Sequence, residues 1–514
     1  MQTLWPPADP TAPVVRVEGG EVRGTVSADG RKFLGVPYAA APTGALRFAP
    51  PRPAARWDGV RDATATPPSC AQSALATVED CLVVNVHTPP ATARPGHARR
   101  PLPVMVWFHG GAYTVGSAAG YDPTPLVTRG GVIVVGVNYR LGPLGFLTLP
   151  GQGPRGRGGV ANAAVLDQQA ALRWVRRNVA AFGGDPRNVT IFGESAGGHS
   201  VCMQLISPGA RGLFRRAISQ SGACTDGGLG PAPVAEAQAT SLRYAATVGC
   251  ADPATALACL RAKPVAELLA AGGGLLALDW VPVVDGAVIP RPTREALATG
   301  RYNRVPMIVG SNRDEGRLFI QLQYHLGLQR PVTEEEYRAG VAGYAGDDVE
   351  AVLARYTPAA YGSRDLAMAA VLTDSTFSCP AVATVRAASH PWRPPVFQYE
   401  FADPAPPVMF PDPFMPLGAY HASEIFSLFA TLEGLRPYTP LTPAQQQLSD
   451  EMIGRWTAFA RTGRPDVRGA PVWPAARGAD PAVLSLLPGG ASRLVRTVDD
   501  EHRCAFWESL RQAP

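Results

Sequence analysis

The stretch that most constrains this chain is residues 189–198, which read Val-Thr-Ile-Phe-Gly-Glu-Ser-Ala-Gly-Gly. A β-branched and aromatic run enters a Gly-x-Ser-x-Gly turn, and a segment compatible with a helix follows. Gly193 and Gly197 omit side chains at the two positions where a sharp strand-to-helix corner would be crowded. Such a corner lifts the hydroxyl of Ser195 out of a sheet and aims the Ala196 amide at a developing oxyanion. The stretch therefore predicts that Ser195 is a catalytic nucleophile.

The composition limits the classes of protein to consider. The chain has 514 residues, of which 46% are hydrophobic and 17% charged, so it can bury a large core. Its net charge of +5 is small and no block of like charge occurs, so we expect no nucleic-acid partner. No uninterrupted apolar run reaches the ~18 residues of a membrane span, so we expect no transmembrane segment. The N-terminus does not resemble a signal peptide, which predicts a cytosolic protein or a mature secreted form.

Apolar runs of buried-strand type alternate with helical patterns along most of the chain. The predicted strands are residues 83–87, 103–108, 131–137, 189–192, 214–219, 305–310 and 396–401. Helical spacing of apolar residues appears at 166–179 and again at 443–461, where Thr442 is the expected N-cap and Gly463 follows the end. This alternation predicts an α/β fold with a mostly parallel sheet covered by helices on both faces.

Two long excursions interrupt this alternation. Residues at about 226–300 and 316–393 are Ala-rich and helical in pattern, for example at 234–248 and 348–356. We interpret both as helical insertions over the edge of the sheet where its parallel strands end. Because no repeat or low-complexity linker divides the chain, we predict one domain over residues 1–514, although this length often means several domains.

The first 68 residues follow a different pattern. Residues 14–17, 22–26 and 33–36 are short strand-like runs separated by Gly-Gly and Ala-Asp-Gly turns, which predicts a small antiparallel meander. Residues 37–68 are rich in proline and are predicted to be irregular.

A serine hydroxyl needs a base to remove its proton, and the base needs an acid that orients it. In the α/β-hydrolase fold, to which this serine turn belongs, the chain order is serine, acid, histidine. Four histidines therefore remain as the base: His325, His390, His421 and His502. His421 is favoured because its loop leads into an apolar helix. Asp314 and Glu315 both follow the strand at 305–310, and spacing alone leaves either as the acid.

A second glycine turn follows another buried strand. His109, Gly110 and Gly111 come directly after residues 103–108. Residues without side chains let backbone amides approach a substrate oxygen to about 2.7–3.1 Å. We therefore predict an oxyanion hole formed by the amides of Gly110, Gly111 and Ala196.

Further motifs occur in a fixed order along nearly the whole chain. They are Phe-Leu-Gly-Val-Pro-Tyr-Ala at 33–39, Leu-Arg-Phe at 46–48, Glu-Asp-Cys-Leu-Val-Val-Asn at 79–85, Asn-Tyr-Arg-Leu-Gly at 138–142, Leu-Asp-Gln at 166–168 and Phe-Gly-Gly-Asp-Pro at 182–186. Together with the serine turn, this series resembles the type-B carboxylesterase family, which includes cholinesterases and bacterial para-nitrobenzyl esterases. The resemblance implies an α/β-hydrolase fold and esterase activity.

The resemblance also assigns roles that spacing left open. The family's acid is the Glu of an Asp-Glu-Gly motif, which implies Glu315, and its base is the His that matches His421. Glu194 matches a buried carboxylate beside the nucleophile, and Ser221 matches a serine beneath it. Two structural ion pairs of the family correspond to Arg47 with Glu79 and to Arg140 with Asp167.

The eight cysteines contain no C-x-x-C pair, so we expect no zinc site. The resemblance implies three disulfides, which pair Cys70 with Cys81, Cys250 with Cys259 and Cys379 with Cys504. Cys202 and Cys224 have no usual counterpart in the family and are either free or paired with each other. Three disulfides favour an oxidising compartment, so we expect a secreted mature form rather than a cytosolic protein.

One departure from the cholinesterases bears on the substrate. Residues 71–80, between the first two cysteines, are few and contain no aromatic side chain. The cation–π site that cholinesterases build from a tryptophan in this loop is therefore absent, and acetylcholine is not expected as the preferred substrate.

The sequence predicts a serine carboxylesterase that hydrolyses small-molecule esters through an acyl-enzyme, as a monomer or homodimer, without a metal or organic cofactor. Alternatives within the same fold are a lipase or a specialised esterase acting on a toxin or polyester. A non-catalytic adhesion or binding protein is the alternative from another class. Such family members lose triad residues, whereas this chain keeps serine, acid and histidine.

Overall fold

Short segments with buried side chains form the central strands of this protein. The computed structural model describes residues 12–73, 76–90, 100–152, 160–225, 228–274, 278–477 and 481–511. The strands are β1 Val14–Val17, β2 Gly20–Arg23, β3 Thr25–Ser27, β4 Gly30–Pro37, β5 Val60–Asp62, β6 Val83–Thr88, β7 Leu102–Phe108, β8 Ile133–Val137, β9 Gly184–Glu194, β10 Arg216–Gln220, β11 Ala232–Pro233, β12 Val283–Val284, β13 Met307–Asn312, β14 Val396–Phe401, β15 Val483–Leu486 and β16 Arg493–Val495.

Within those ranges, an 11-stranded sheet has the order β16-β15-β14-β13-β10-β9-β7-β8-β6-β4-β3. The strands from β8 through β7, β9, β10, β13 and β14 to β15 run parallel, and the pairs at both edges are antiparallel. Parallel strands covered on both faces read as nearly continuous hydrophobic runs, as β7 does with Leu-Pro-Val-Met-Val-Trp-Phe. The predicted α/β-hydrolase fold with a mostly parallel sheet is confirmed.

Helices occupy the segments between the strands. The α-helices are α1 Thr124–Gly130, α2 Gly142–Phe146, α3 Ala163–Asn178, α4 Ala196–Ile206, α5 Val234–Thr247, α6 Ala256–Ala262, α7 Val265–Ala271, α8 Thr293–Ala298, α9 Gly316–Ile320, α10 Glu334–Ala345, α11 Val349–Leu353, α12 Pro358–Tyr361, α13 Arg364–Leu372, α14 Cys379–Ala388, α15 Pro443–Thr462, α16 Val498–Glu501 and α17 Cys504–Arg511. Two segments are π-helical, Gln321–Leu326 and Thr373–Ser378. Short 3-10 turns lie at Gly44–Leu46, Ala118–Gly120, Val179–Phe182, Pro208–Ala210, Gly346–Asp348 and Ser423–Ser427.

The sheet separates two apolar cores because successive side chains of a strand point to opposite faces. On β7, Val104 and Val106 belong to one core, whereas Met105 and Trp107 belong to the other. The second core contains buried side chains of α15, including Trp456. As predicted, α15 begins after the N-cap Thr442, whose hydroxyl accepts from the amide of Gln445.

The two predicted insertions contain helices and little strand structure. Helices α5–α8 lie within the first, and α9–α14 with both π-helical segments lie within the second. The predicted helix at 348–356 is shorter than expected, since α11 ends at Leu353. Pro358 begins the next helix. Proline disfavours helical backbone at the residue before it, so Thr357 is extended with ψ 141.

The N-terminal prediction was partly wrong. The predicted meander is divided between two sheets, because β1 and β2 pair with β5 whereas β3 and β4 join the edge of the large sheet. Gly24 separates β2 from β3, and a Cβ at this position would lie 2.3 Å from the Lys32 carbonyl oxygen. The predicted irregular region also contains β5.

One helical run satisfies the length and hydropathy expected of a membrane span. It is Arg364–Ala388, which comprises α13, a π-helical segment and α14. Because 78% of its most apolar window is buried inside the protein, this run has the character of a core helix.

Candidate active site

Ser195 lies at the corner between β9 and α4. Its backbone has φ 56 and ψ −125, which is unusual for a residue with a side chain. Its amide donates to the carbonyl of Gln220 at 2.9 Å, which helps to hold this strained conformation. A Cβ on Gly193 would lie 2.4 Å from the Gly197 oxygen, and one on Gly197 would lie 2.0 Å from the Phe108 oxygen. Both glycines are therefore required by close backbone contacts.

Glu315 and His421 meet although they are far apart in sequence. His421 Nδ1 lies 2.6 Å from Glu315 Oε2, and both side chains are buried. The amide of Asn312 donates to Glu315 Oε1 at 2.7 Å, which fixes the carboxylate. Asp314 instead accepts from the Ala419 amide and pairs with Arg317. The structure therefore brings Glu315, and not Asp314, to the histidine.

The other three histidines that the sequence left open lie elsewhere. His325 is buried between Asp365 and Asp412, at 3.0 and 2.6 Å. His502 is buried between two further carboxylates, and His390 is exposed. Within the described ranges, none of these three histidines hydrogen-bonds to residues 193–197.

Glu194, the residue before the nucleophile, faces the opposite side of the imidazole. Its Oε1 lies 3.0 Å from His421 Nε2, but this oxygen is among the buried atoms of the described residues without a hydrogen-bond partner. The contact is thus one of charge rather than of aligned hydrogen bonding. In the described residues, His421 contacts the two glutamates, and Ser195 Oγ makes no hydrogen bond to it. Hydrogen bonds between catalytic groups are often long in a free enzyme and shorten when substrate binds.

The charges around His421 control its protonation. Burial acts to lower the pKa of His421, but the carboxylates of Glu194 and Glu315 outweigh burial and raise it to about 9. Burial raises the pKa of Glu194 well above its usual range, against the opposing charge of His421. Two glutamates around one imidazole therefore stabilise its protonated form, which is the form that a base acquires when it takes a proton from serine.

The predicted oxyanion amides differ in their surroundings. Ala196 is the first residue of α4, so its amide has no partner within that helix. Gly111 and Ala112 are partly exposed, and no acceptor for their amides occurs in the described residues. Gly110 is buried, and its amide hydrogen-bonds to the Tyr121 hydroxyl. Burial raises the pKa of Tyr121, and this hydrogen bond acts to lower it. Ala112, which the sequence analysis did not select, is therefore a better-placed donor than Gly110.

Ser221 lies beneath the serine corner, as the resemblance implied. Its backbone is also left-handed, with φ 48, and its amide donates to the Gly310 oxygen at 2.8 Å. The next residue, Gly222, has no room for a side chain, since a Cβ would lie 2.5 Å from the Ser195 carbonyl oxygen. The hydroxyl of Ser221 is buried and has no partner among the described residues.

Several residues around the base were not identified from the sequence. The rings of Phe319 and Phe377 pack against His421 with centroids 5.0 and 4.9 Å away. Asn312 donates to buried Glu424, which lies three residues after the histidine in the Gly-Ala-Tyr-His-Ala-Ser-Glu loop. The position of Glu424 three residues after His421 could have indicated a residue near the base. Neither phenylalanine has a local sequence pattern that distinguishes it from a core residue.

Ion pairs and disulfides support the site. Arg140 pairs with Asp167 at 2.7 Å, and Arg47 pairs with Glu79 at the same distance. All eight cysteines are paired, as Cys70–Cys81, Cys250–Cys259, Cys379–Cys504 and Cys202–Cys224. The last pair, which the sequence left open, joins α4 to the loop after Ser221. The described residues contain no group of three or more His, Cys, Asp and Glu side chains arranged to hold a metal ion.

Comparisons with known proteins identify the family of this chain. Residues 11–507 match the carboxylesterase family. The chain is 36% identical to the para-nitrobenzyl esterase of Bacillus subtilis (strain 168), covering 90% of this chain and 93% of that protein. It is 34% identical to liver carboxylesterase 1 of Oryctolagus cuniculus, covering 99% and 95%. A solved structure of PNB esterase superposes with a TM-score of 0.79 at 34% identity, covering 96% and 99%. The chain therefore belongs to the carboxylesterase family and is a serine carboxylic ester hydrolase.

Proposed function

We propose that Ser195, His421 and Glu315 are the catalytic triad of this carboxylesterase. The observation that carries the proposal is the 2.6 Å contact between Glu315 Oε2 and His421 Nδ1. This contact orients the ring, and the other nitrogen, Nε2, lies 3.0 Å from Glu194 Oε1 beside the serine corner, where we assign it to the proton of Ser195. Ser195 supplies the hydroxyl from a strained corner at the end of β9.

The reaction follows from these positions. His421 Nε2 takes the proton of Ser195 Oγ as that oxygen attacks the ester carbonyl, and the imidazolium is stabilised by Glu315. Collapse of the tetrahedral intermediate breaks the bond to the alcohol oxygen, which receives the proton from His421. Water then attacks the acyl-enzyme and loses its proton to His421. Collapse of this second tetrahedral intermediate breaks the bond between the acyl carbon and Ser195 Oγ, which takes the proton back from His421, and the carboxylic acid leaves.

The oxyanion of each tetrahedral intermediate needs donors that are free to bind it. The amides of Gly111, Ala112 and Ala196 suit this role. The first two are partly exposed and have no acceptor in the described part of the chain, and the third begins a helix. Gly110 was predicted as a third donor. We assign its amide a structural role instead, because it hydrogen-bonds to Tyr121.

The substrates that fit best are small esters without a quaternary ammonium group. Residues 71–80 hold no aromatic side chain that could bind such a cation. The relatives' names include para-nitrobenzyl esterase and cocaine esterase, whose named substrates are small molecules. Long-chain lipids, polyesters and toxin esters belong in the same test panel, because a lipase or specialised esterase shares this fold.

We also propose that the protein works in an oxidising compartment, as expected for a secreted form. The support is that all eight cysteines form disulfides, an arrangement that reducing cytosol disfavours. Immunoblots of secreted and cytosolic fractions from cells that make the protein natively would test this directly.

Pre-steady-state hydrolysis of para-nitrophenyl acetate tests the acyl-enzyme route. We expect a burst of one para-nitrophenol per active site, followed by slower turnover, if deacylation limits the rate. The matched variants are Glu315→Gln, which removes the charge that stabilises the imidazolium, and Asp314→Asn, which changes its neighbour. A panel of acyl chains from two to sixteen carbons would then define the preferred ester. No turnover of any ester by folded protein would favour the non-catalytic alternative.

A further inference from the structure

The buried helical run that contains α13 and α14 is interrupted by the π-helical segment Thr373–Ser378. A π-helical turn inserts an extra residue and rotates the side chains around it, and such turns occur frequently at functional sites. Here the turn packs beside the loop that carries Glu315. Residues at its two ends contact that loop on both sides of the catalytic acid.

The first contact follows Glu315 directly. The amide of Gly316 donates to Thr373 Oγ1 at 2.9 Å, and the same hydroxyl donates to the Ala369 carbonyl at 2.8 Å. Gly316 permits this approach, because a Cβ there would lie 2.1 Å from the Ala369 oxygen. The Thr373 hydroxyl therefore links the two segments: its proton is donated to its own helix, and one of its two lone pairs accepts from the acid loop.

The second contact precedes Glu315. Ser311 Oγ, near the end of β13, lies 3.3 Å from Ser378 Oγ at the other end of the π-helical segment. Both hydroxyls are buried. The segment thus holds the Glu315 loop at two points, four residues before the acid and one residue after it.

The opposite side of the segment is anchored to the C-terminal part of the chain. Asp374 Oδ1 lies 2.5 Å from His502 Nδ1, and Asp374 Oδ2 accepts from the Tyr356 hydroxyl at 2.7 Å. His502 Nε2 lies 2.9 Å from Glu400 Oε1 on β14. The Cys379–Cys504 disulfide begins one residue after the segment. These contacts give the turn a fixed position relative to the sheet.

We propose that Thr373 is a positioning residue for the catalytic acid, acting through the Gly316 amide to keep the Glu315 carboxylate aligned with His421. The inference rests on the proposed role of Glu315. Thr373 touches neither the substrate nor the reacting atoms, and its effect passes through one backbone hydrogen bond. Loss of that bond leaves a buried amide without a partner, so the loop moves to satisfy it and the acid moves with it.

Three variants separate positioning from ordinary core packing. Thr373→Val keeps the shape of the side chain and removes the hydroxyl, whereas Thr373→Ser keeps the hydroxyl. Thr457→Val is the matched control, because Thr457 is buried on α15 and also donates to the carbonyl four residues earlier, at 2.8 Å. kcat, KM and the pH profile of kcat/KM are measured for each variant well below its unfolding temperature.

For Thr373→Val we expect kcat to fall about tenfold with KM within about twofold, the size of effect that one lost buried hydrogen bond can cause. The ascending limb of kcat/KM should move to lower pH, because a displaced Glu315 stabilises the imidazolium less. Thr373→Ser should keep kcat within about twofold of the original protein. Thr457→Val should lower thermal stability alone.

The proposal is overturned if Thr373→Val changes kcat and the pH profile no more than Thr457→Val does. If Thr373→Val does not fold, Ser378→Ala replaces it, with a smaller fall in kcat expected and the same criterion applied. Glu315→Gln is assayed in parallel to separate the two claims. A normal kcat in Glu315→Gln would reject the role of the acid itself, whereas a low kcat there with an unaffected Thr373→Val rejects only the positioning role.

Discussion

Glu194 Oε1 lies 3.0 Å from His421 Nε2, so the residue before the nucleophile contacts the base on the side opposite Glu315. This second carboxylate is one cause of the raised pKa of His421, which reaches about 9 against the lowering effect of burial. Two glutamates therefore flank His421: Glu315 orients the ring, and Glu194, when ionised, favours the imidazolium.

Glu194→Gln should move the ascending limb of the kcat/KM profile to lower pH. On the proposed mechanism, esterase activity requires neutral His421, so the limb would report the pKa of this group in the free enzyme. In the original protein that limb should lie above the ordinary histidine value of 6.5, because the pKa is raised. Removing the charge of Glu194 removes a cause of the increase. The measurement is kcat/KM for a soluble para-nitrophenyl ester between pH 5 and 10, and an unchanged limb would show that Glu194 carries no charge when the base titrates.

Glu315→Gln should reduce kcat by at least about 10³-fold, whereas Asp314→Asn should change it by less than about tenfold. Of these two carboxylates, Glu315 contacts His421, whereas Asp314 binds the Ala419 amide and Arg317. Asp314→Asn weakens these two contacts, which hold the loop before His421, and we therefore expect a small effect on kcat. Steady-state kinetics on both folded variants decide the assignment, which would pass to Asp314 if its change were the more damaging one.

Cys504→Ser should lower the unfolding temperature more than Cys81→Ser does. The Cys379–Cys504 bridge spans 125 residues, whereas Cys70–Cys81 spans 11. On the chain-entropy model a loop of more than 100 residues contributes about 4–5 kcal/mol, and a shorter loop contributes less. Activity at low temperature should be largely retained in both.

Differential scanning calorimetry compares these two variants. Mass spectrometry of a non-reduced digest is the control that both bridges exist in the purified protein. Free Cys379 and Cys504 in that digest, or equal losses of stability in the two variants, would contradict the prediction.

The parts of this molecule that obey local rules could be predicted from the sequence. The strained Ser195 corner has a recognisable local sequence, because a Cβ on Gly193 or Gly197 would lie 2.4 Å or less from a backbone oxygen. The capping Thr442 and the apolar runs of β7 and β9 are similarly local. The prediction of one domain over the whole chain stays a prediction.

The parts that depend on long-range packing could not be predicted. The division of the N-terminal strands between two sheets depends on β5, whose three residues carry no strong strand pattern. The approach of Phe377 to His421 requires the π-helical turn, which no periodicity of the sequence indicates. Gly110 and Ala112 are two residues apart, and what distinguishes their amides is the burial of Gly110 and the nearby Tyr121 hydroxyl, both of which depend on the fold. Spacing alone could not separate Asp314 from Glu315 either, because the choice depends on which carboxylate meets His421, 106 residues later in the chain.

Covalent labelling of Ser195 tests the central claim most directly. A fluorophosphonate reacts with an activated serine hydroxyl and stops at a stable adduct, so it reports the nucleophile without needing the natural ester. We predict one adduct per chain, found by peptide mass spectrometry on Ser195, with loss of esterase activity in proportion to labelling and no adduct on Ser195→Ala. Labelling and inactivation through another residue, or full esterase activity in folded Ser195→Ala, would contradict the account.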